Sequence, residues 1–148
     1  MAKDKKIIIF SPTGIAIGAG LVFIFFVFLY FRGTSYATAK FLLHDEIFTA
    51  RIADTDDKRT LGLSGTSGLG KNEAMVFKMP GLNRYSFWMK DMQYPLDILW
   101  LKGNTIVDMA PRVPPAPIGA PDDQIQKYTS RLDADIVVEV VSGTVDRL

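Results

Sequence analysis

Four side chains with chemical potential crowd one stretch of the chain: Trp88, Lys90, Asp91 and Asp97 within FWMKDMQYPLDIL. On an extended strand, Phe87 and Met89 share one face and Trp88 and Lys90 share the other. A turn around Pro95 would bring Asp91 and Asp97 back toward the Lys90 ammonium. The result would be a polar site beside an aromatic wall, where lysine and carboxylate bind a ligand or exchange a proton. The competing reading is an ion pair that pins the turn, with Trp88 buried in the core. Asp97 lies between apolar Leu96 and Ile98. A carboxylate in such a place needs a partner, which could be a backbone N–H, Lys90 or Arg59. The candidate ligand-binding set is therefore Trp88, Lys90, Asp91, Asp97 and Arg59.

Other chemistries find less support. The methionines Met75, Met79, Met89, Met92 and Met109 raise soft-metal binding, but Met89 and Met92 would face opposite ways on a strand, and packing is the expected role. A single histidine, His44, argues against a serine triad. Gly62, Gly65, Gly68 and Gly70 lack the lysine and helix of a phosphate-cradling loop. The chain has no cysteine, which excludes disulfides, thiolate nucleophiles and cysteine-ligated metals. No cofactor and no metal is expected.

The elements that must position these residues are legible as alternating runs and turn signals. Residues 48–53 alternate as a strand. Asp54 or Thr55 then caps a short helix, with Asp56 and Asp57 in its first turn and an end near Gly62. A Gly- and Ser-rich loop covers residues 64–71. A buried strand, AMVFKM, is expected to stop at Pro80, and residues 85–89 form an aromatic strand. LDILWL and TIVDM read as a hairpin around Gly103-Asn104, with glycine first as a type II′ turn requires. The proline-rich residues 111–121 forbid a ladder and predict a stiff loop that straps one end of the domain. IVVEVV is the last strand.

Location is set by residues 15–31, IAIGAGLVFIFFVFLYF, an uncharged run preceded by Lys3, Lys5 and Lys6 and closed by Arg32. As a helix it would be roughly 26 Å long, near the thickness of a hydrocarbon core. The lysines favour the side that keeps the N-terminus inside and the rest outside. Two outcomes stay open: a permanent anchor, or a signal cleaved after the small-residue run Ala37-Thr38-Ala39. Residues 1–39 hold four of the 17 basic and one of the 16 acidic residues, which leaves 13 basic and 15 acidic beyond them. A mildly acidic outer part with no basic cluster points away from nucleic acid.

The motif also resembles a known family. Phe87, Trp88, Met89, Lys90, Pro95, Leu96, Asp97 and Ile98 are similar to the signature of domain of unknown function 192, a group often secreted or membrane-anchored; Asp91 and Met92 replace the usual Asn and Thr. Ala53-Asp54-Thr55 with Arg59, Gly62-Leu63-Ser64-Gly65, Met75-Val76-Phe77, Tyr128-Thr129-Ser130 and Val138-Glu139-Val140 resemble its other segments in order. The resemblance implies a β-rich fold and no established activity. Arg131 and Asp133 stand where the family tends to have prolines. The chain stops before the family's closing Gly-Ile and Gly-Asp segment, which leads us to expect an exposed strand edge.

The expected architecture is α+β: a cytoplasmic tip and transmembrane helix over residues 1–32, a tether over 33–39, and an extracytoplasmic domain over 40–148. That domain is compact and β-rich with one short helix, a small closed barrel being one solution. The expected function is a ligand-binding or protein-interaction module at the outer face of a membrane. Its partners would be lipid through residues 15–31 and an envelope protein or small molecule. The alternative is a small extracytoplasmic hydrolase using Asp97 or Asp91 with Lys90.

Overall fold

A computed structural model describes residues 35–147 of the chain. The expected anchor or signal over residues 15–31, the tip before it and Gly33 lie outside the described residues. Among the described residues, no helix is long and apolar enough to cross a membrane. One compact unit begins at Tyr36 and takes in the described residues that follow.

Eight strands build it. They are β1 (Ala37–Leu43), β2 (Glu46–Ala53), β3 (Glu73–Asn83), β4 (Ser86–Trp88), β5 (Leu96–Lys102), β6 (Thr105–Val113), β7 (Lys127–Thr129) and β8 (Ala134–Val141). Among the described residues a single α-helix, α1 (Asp56–Leu61), follows β2. Thr55 is its N-cap and accepts a hydrogen bond from the Lys58 amide; Gly62 ends it with φ 50°, its own amide donating to the Lys58 carbonyl. This is the capped, acid-first helix that the Asp- and Thr-rich run encodes.

Six strands form one mixed sheet in the order β1-β2-β3-β8-β5-β6, and β4 pairs with β7 in a separate two-stranded ribbon. β2 and β3 run parallel, bridged by α1, and every other neighbouring pair is antiparallel. The sheet is open: β1 and β6 are its edges and do not pair, so the closed-barrel solution is not the one adopted. The late strand β8 sits at the centre, between β3 and β5, and the exposed edges lie elsewhere in the chain.

Three local expectations are corrected. β1 begins at Ala37, inside the segment read as a tether. β3 does not stop at Pro80 but continues to Asn83, with a register shift between Lys78 and Asn83 that absorbs Pro80 and Gly81. β6 runs through Pro111 to Val113. A proline is tolerated there because β6 is an edge strand and its missing N–H leaves no central ladder unmade. The Gly103-Asn104 turn is as expected, Gly103 taking φ 58°.

Alternation divides the sheet into two apolar faces. Met75 and Phe77 of β3, Leu96, Ile98 and Trp100 of β5 and Val137 of β8 pack on one side, under Leu63, Leu69 and Met89. Phe48, Ala50, Ala74, Leu99, Val138 and Val140 form the other. The ribbon caps the first face. Phe87 turns inward from β4, its ring edge-on to Phe77 at 4.9 Å and to Trp100 at 6.4 Å. The Trp100 indole N–H donates to the Tyr85 carbonyl at 3.1 Å, so this large buried ring leaves no polar atom unmet. Met75 and Met89 are buried in this core, and Met79 and Met92 pack against it, which gives four of the five methionines among the described residues a packing role.

Glu139 is the exception to the apolar pattern of β8. It pairs with Met75 of β3 and Ile98 of β5 and is 5 % exposed. Burial pushes its carboxyl up to about 8. The unfolded chain ionises this group near 4.5 and the folded one near 8, so the stability it confers is complete below the lower value and is lost as pH rises through the upper one. Chemical denaturation should therefore show stability falling between about pH 4.5 and pH 8, with a slope approaching about 1.4 kcal/mol per pH unit. Glu139→Gln should flatten that slope.

Candidate functional site

Asp97 is fully buried at the start of β5. One carboxylate oxygen accepts the Arg112 amide at 2.7 Å and the other accepts the Val145 amide at 2.8 Å. The β5–β6 ladder explains the first bond. Leu96 pairs with Val113 and Ile98 with Ala110, so Asp97 alone faces two residues, Pro111 and Arg112. That is a β-bulge, and Arg112 sits in it with φ 53°, a conformation costly for a side-chain-bearing residue. The Asp97 carboxylate holds the bulge amide, while its second oxygen ties the C-terminal 3-10 turn Val145–Arg147 to the same point. Of the partners open to it in the sequence, Asp97 takes backbone N–H groups and neither Lys90 nor Arg59.

Arg59 is likewise committed. From α1 it donates to the Lys78 carbonyl at 2.7 Å and to Asp56 at 2.6 Å, which locks the helix onto β3. Asp97 and Arg59 therefore do not join the other three candidates, and both act on architecture.

Trp88, Lys90 and Asp91 do stand together. Because Phe87 and Met89 turn inward, Trp88 and Lys90 turn outward, and Trp88 is 36 % exposed instead of forming core. The Lys90 ammonium lies 5.5 Å from the centre of the Trp88 ring, and that of Lys127, its cross-strand neighbour, 5.9 Å away. Lys90 pairs with Asp122 at 2.7 Å, a contact absent from the sequence reading because Asp122 lies 32 residues on. The Asp122 hydrogen bond raises the Lys90 ammonium above its usual value, so it stays charged. Asp91 takes φ 56°, and its carbonyl accepts the Gly65 amide at 3.0 Å. The Ser64 hydroxyl donates to the Lys90 carbonyl at 3.1 Å, so the loop after α1 fixes the segment from a second side.

Two depressions flank this segment. Asp57, Thr60, Ser64, Trp88, Lys90 and Asp91 line one of about 400 Å³. The other, of about 640 Å³, lies between residues 90–93 and the proline loop. The loop straps this segment, the Ala116 amide donating to the Met89 carbonyl at 3.1 Å. Its tip carries Ile118, fully exposed at the cleft edge. Exposed apolar Ile118, exposed aromatic Trp88 and a neutralised Lys90–Asp122 pair make a surface suited to recognition, with an aromatic anchor and a polar rim.

A second ion pair lies outside the candidate set. Arg131 donates to buried Asp108 from its amide at 2.7 Å and from Nε at 3.0 Å, with Nη2 on the same carboxylate. These bonds hold the Asp108 carboxyl down to about 2, well below the ordinary range. Arg131, which stands where the resembled family tends to have a proline, thus clamps the β7–β8 loop to β6.

Comparison with known proteins gives a family and a fold. The model of family DUF192, described as an uncharacterized ACR, matches residues 40–148. A structure from Sinorhizobium meliloti 1021, provisionally labelled a transcription regulator, is similar at 24 % identity with a TM-score of 0.66; the match covers 76 % of this chain and 87 % of that one. A protein of unknown function from Novosphingobium aromaticivorans DSM 12444 is similar at 19 % identity and a TM-score of 0.61, covering 77 % of this chain and 87 % of that one. At such identities the likeness speaks to the fold. No curated protein matches the chain significantly.

Removing half of the Asp97 acceptor set should act on stability. Asp97→Asn leaves one amide facing an NH2 group, and denaturant unfolding should show a loss of about 1–3 kcal/mol. An unchanged midpoint would reject the architectural role.

Proposed function

The chain belongs to the DUF192 family, and we propose that its described domain is a binding module that meets a small molecule or an envelope protein through Trp88, Lys90 and Asp91. The observation that carries this reading is the solvent-facing Trp88, left out of a core that takes in both its neighbours, Phe87 and Met89. Two ammonium groups lie 5.5 and 5.9 Å from its ring centre, so an aromatic face and positive charge meet at one place on the surface, side-chain types that suit a recognition site. The adjoining cleft, floored by residues 90–93 and edged by Ile118, supplies the concave part of such a site.

The same reading places the module outside the cytoplasm, held by residues 15–31 or released after cleavage near Ala39. It is supported by the apolar length of that run and by Lys3, Lys5 and Lys6 before it. Of the two carboxylates a hydrolase would use, Asp97 has both oxygens filled by backbone donors, which leaves Asp91 alone with Lys90. The binding reading is therefore favoured.

A fragment screen by NMR on the purified protein tests it. Hits should shift the Trp88 indole and the amides of Lys90 and Asp91. Trp88→Ala should weaken them by about tenfold, or ~1.4 kcal/mol, with thermal stability nearly unchanged. Hits that cluster elsewhere, or a Trp88→Ala variant that loses more than about 2 kcal/mol of stability, would contradict the proposal.

A further inference from the structure

The second face of the main sheet holds a groove that the Trp88 surface does not use. Its volume is about 570 Å³, within the range of small-ligand sites. Both edges of the sheet contribute walls: β1 from one side and Ile106 of β6 from the other, over a floor that includes Ile52, Val76, Leu101 and Val138. β1 lines it from Ala39 to Leu43, a run of about 14 Å at strand rise. Half-buried Phe41, Leu43, Ile52 and Ile106 pack against the core beneath and still face the groove.

We infer that this groove takes one acyl chain of a net-neutral phospholipid. The long apolar shape fits an alkyl chain. No Asp, Glu, Lys or Arg lines the groove, so a charged head must remain outside it. Charges of both signs flank the lining: Asp45 lies 3.5 Å from His44, which itself lines the groove, Asp135 accepts the Gly103 amide at 2.8 Å, and Lys40 and Lys102 adjoin Ala39 and Gly103 in the chain. A rim of mixed sign matches a zwitterionic head better than the single carboxylate of a free fatty acid. Asn104 and Thr105, at the β5–β6 turn, offer uncharged donors that match an ester carbonyl at the rim. A second copy of the chain is a poor occupant, because the open lining falls far short of the roughly 800 Å² per partner that a stable interface buries.

The test uses the full chain with phosphatidylcholine vesicles whose lipid carries a photoactivatable diazirine midway along one acyl chain. After irradiation, adducts should fall within residues 39–52 and 99–106 and be competed by unlabelled phosphatidylcholine. The half-buried edge residue Ile106, changed by Ile106→Arg, places a charge in the groove and should cut those adducts at least tenfold. Circular dichroism checks that the variant folds, and the competition arm reads the same site without any variant. Three results would overturn the inference: adducts confined to other residues, groove adducts that survive both competition and a folded Ile106→Arg, or stronger groove labelling by a diazirine fatty acid than by the phospholipid. Labelling that disappears on concentration-dependent dimerisation would assign the groove to a second copy and overturn it as well.

Discussion

The Asp97 carboxylate is the point on which the rest of the domain depends. It is wholly buried, and its two oxygens serve two segments far apart in sequence, at Arg112 and Val145. A buried carboxyl group of this kind is tolerable only when its oxygens are hydrogen-bonded, and backbone N–H groups bond them without introducing a charged partner. In return it stabilises a bulge whose Arg112 would otherwise sit in a left-handed conformation with its amide unmet. The bulge lets Pro111 lie in an edge strand and sends the chain from β6 into the proline loop. That loop walls the cleft beside Lys90 and supplies Asp122 to it. The path from the buried carboxylate to the exposed surface is therefore continuous in the covalent chain.

The sheet built on this point is two-sided, and its two faces are finished differently. One is closed by the β4–β7 ribbon and the loop after α1, through Phe87, Leu63 and Met89. Closing it turns Trp88 outward, since alternate residues of a strand cannot face the same way. The other face is left as a groove between the edge strands β1 and β6. The polar groups in the interior are treated unequally. Asp97 and Asp108 have both oxygens bonded, whereas Glu139 stands among apolar neighbours with its carboxyl pushed up to about 8.

Much of this was legible before any coordinates. The short helix capped by Asp54 or Thr55, the Gly103-Asn104 turn, the strands around Met75 and Val138 and the opposed faces of Phe87 and Trp88 follow from local patterns, and local patterns are what a sequence displays. The motif around Trp88 pointed to the family whose model matches the chain. What could not be read was long-range. Nothing near Lys90 announces Asp122, and nothing near Asp108 announces Arg131. The backbone partners of Asp97 depend on a bulge that exists only once β5 and β6 are in register. The prolines misled because their penalty falls on central strands, and neither Pro80, in a register shift, nor Pro111, on an edge, occupies a regular central position. The open sheet was hidden for a similar reason. Alternation tells which face a residue takes but not whether the first and last strands meet.

Amide hydrogen exchange at Arg112 and Val145 tests the central role of Asp97 most directly. The account predicts that both amides are protected to the level of the β5–β8 core in the native protein and that both lose most of that protection together when Asp97 is changed to alanine. Exchange of either amide at the rate of an unstructured chain in the unaltered protein, or unchanged protection after the substitution, would contradict it.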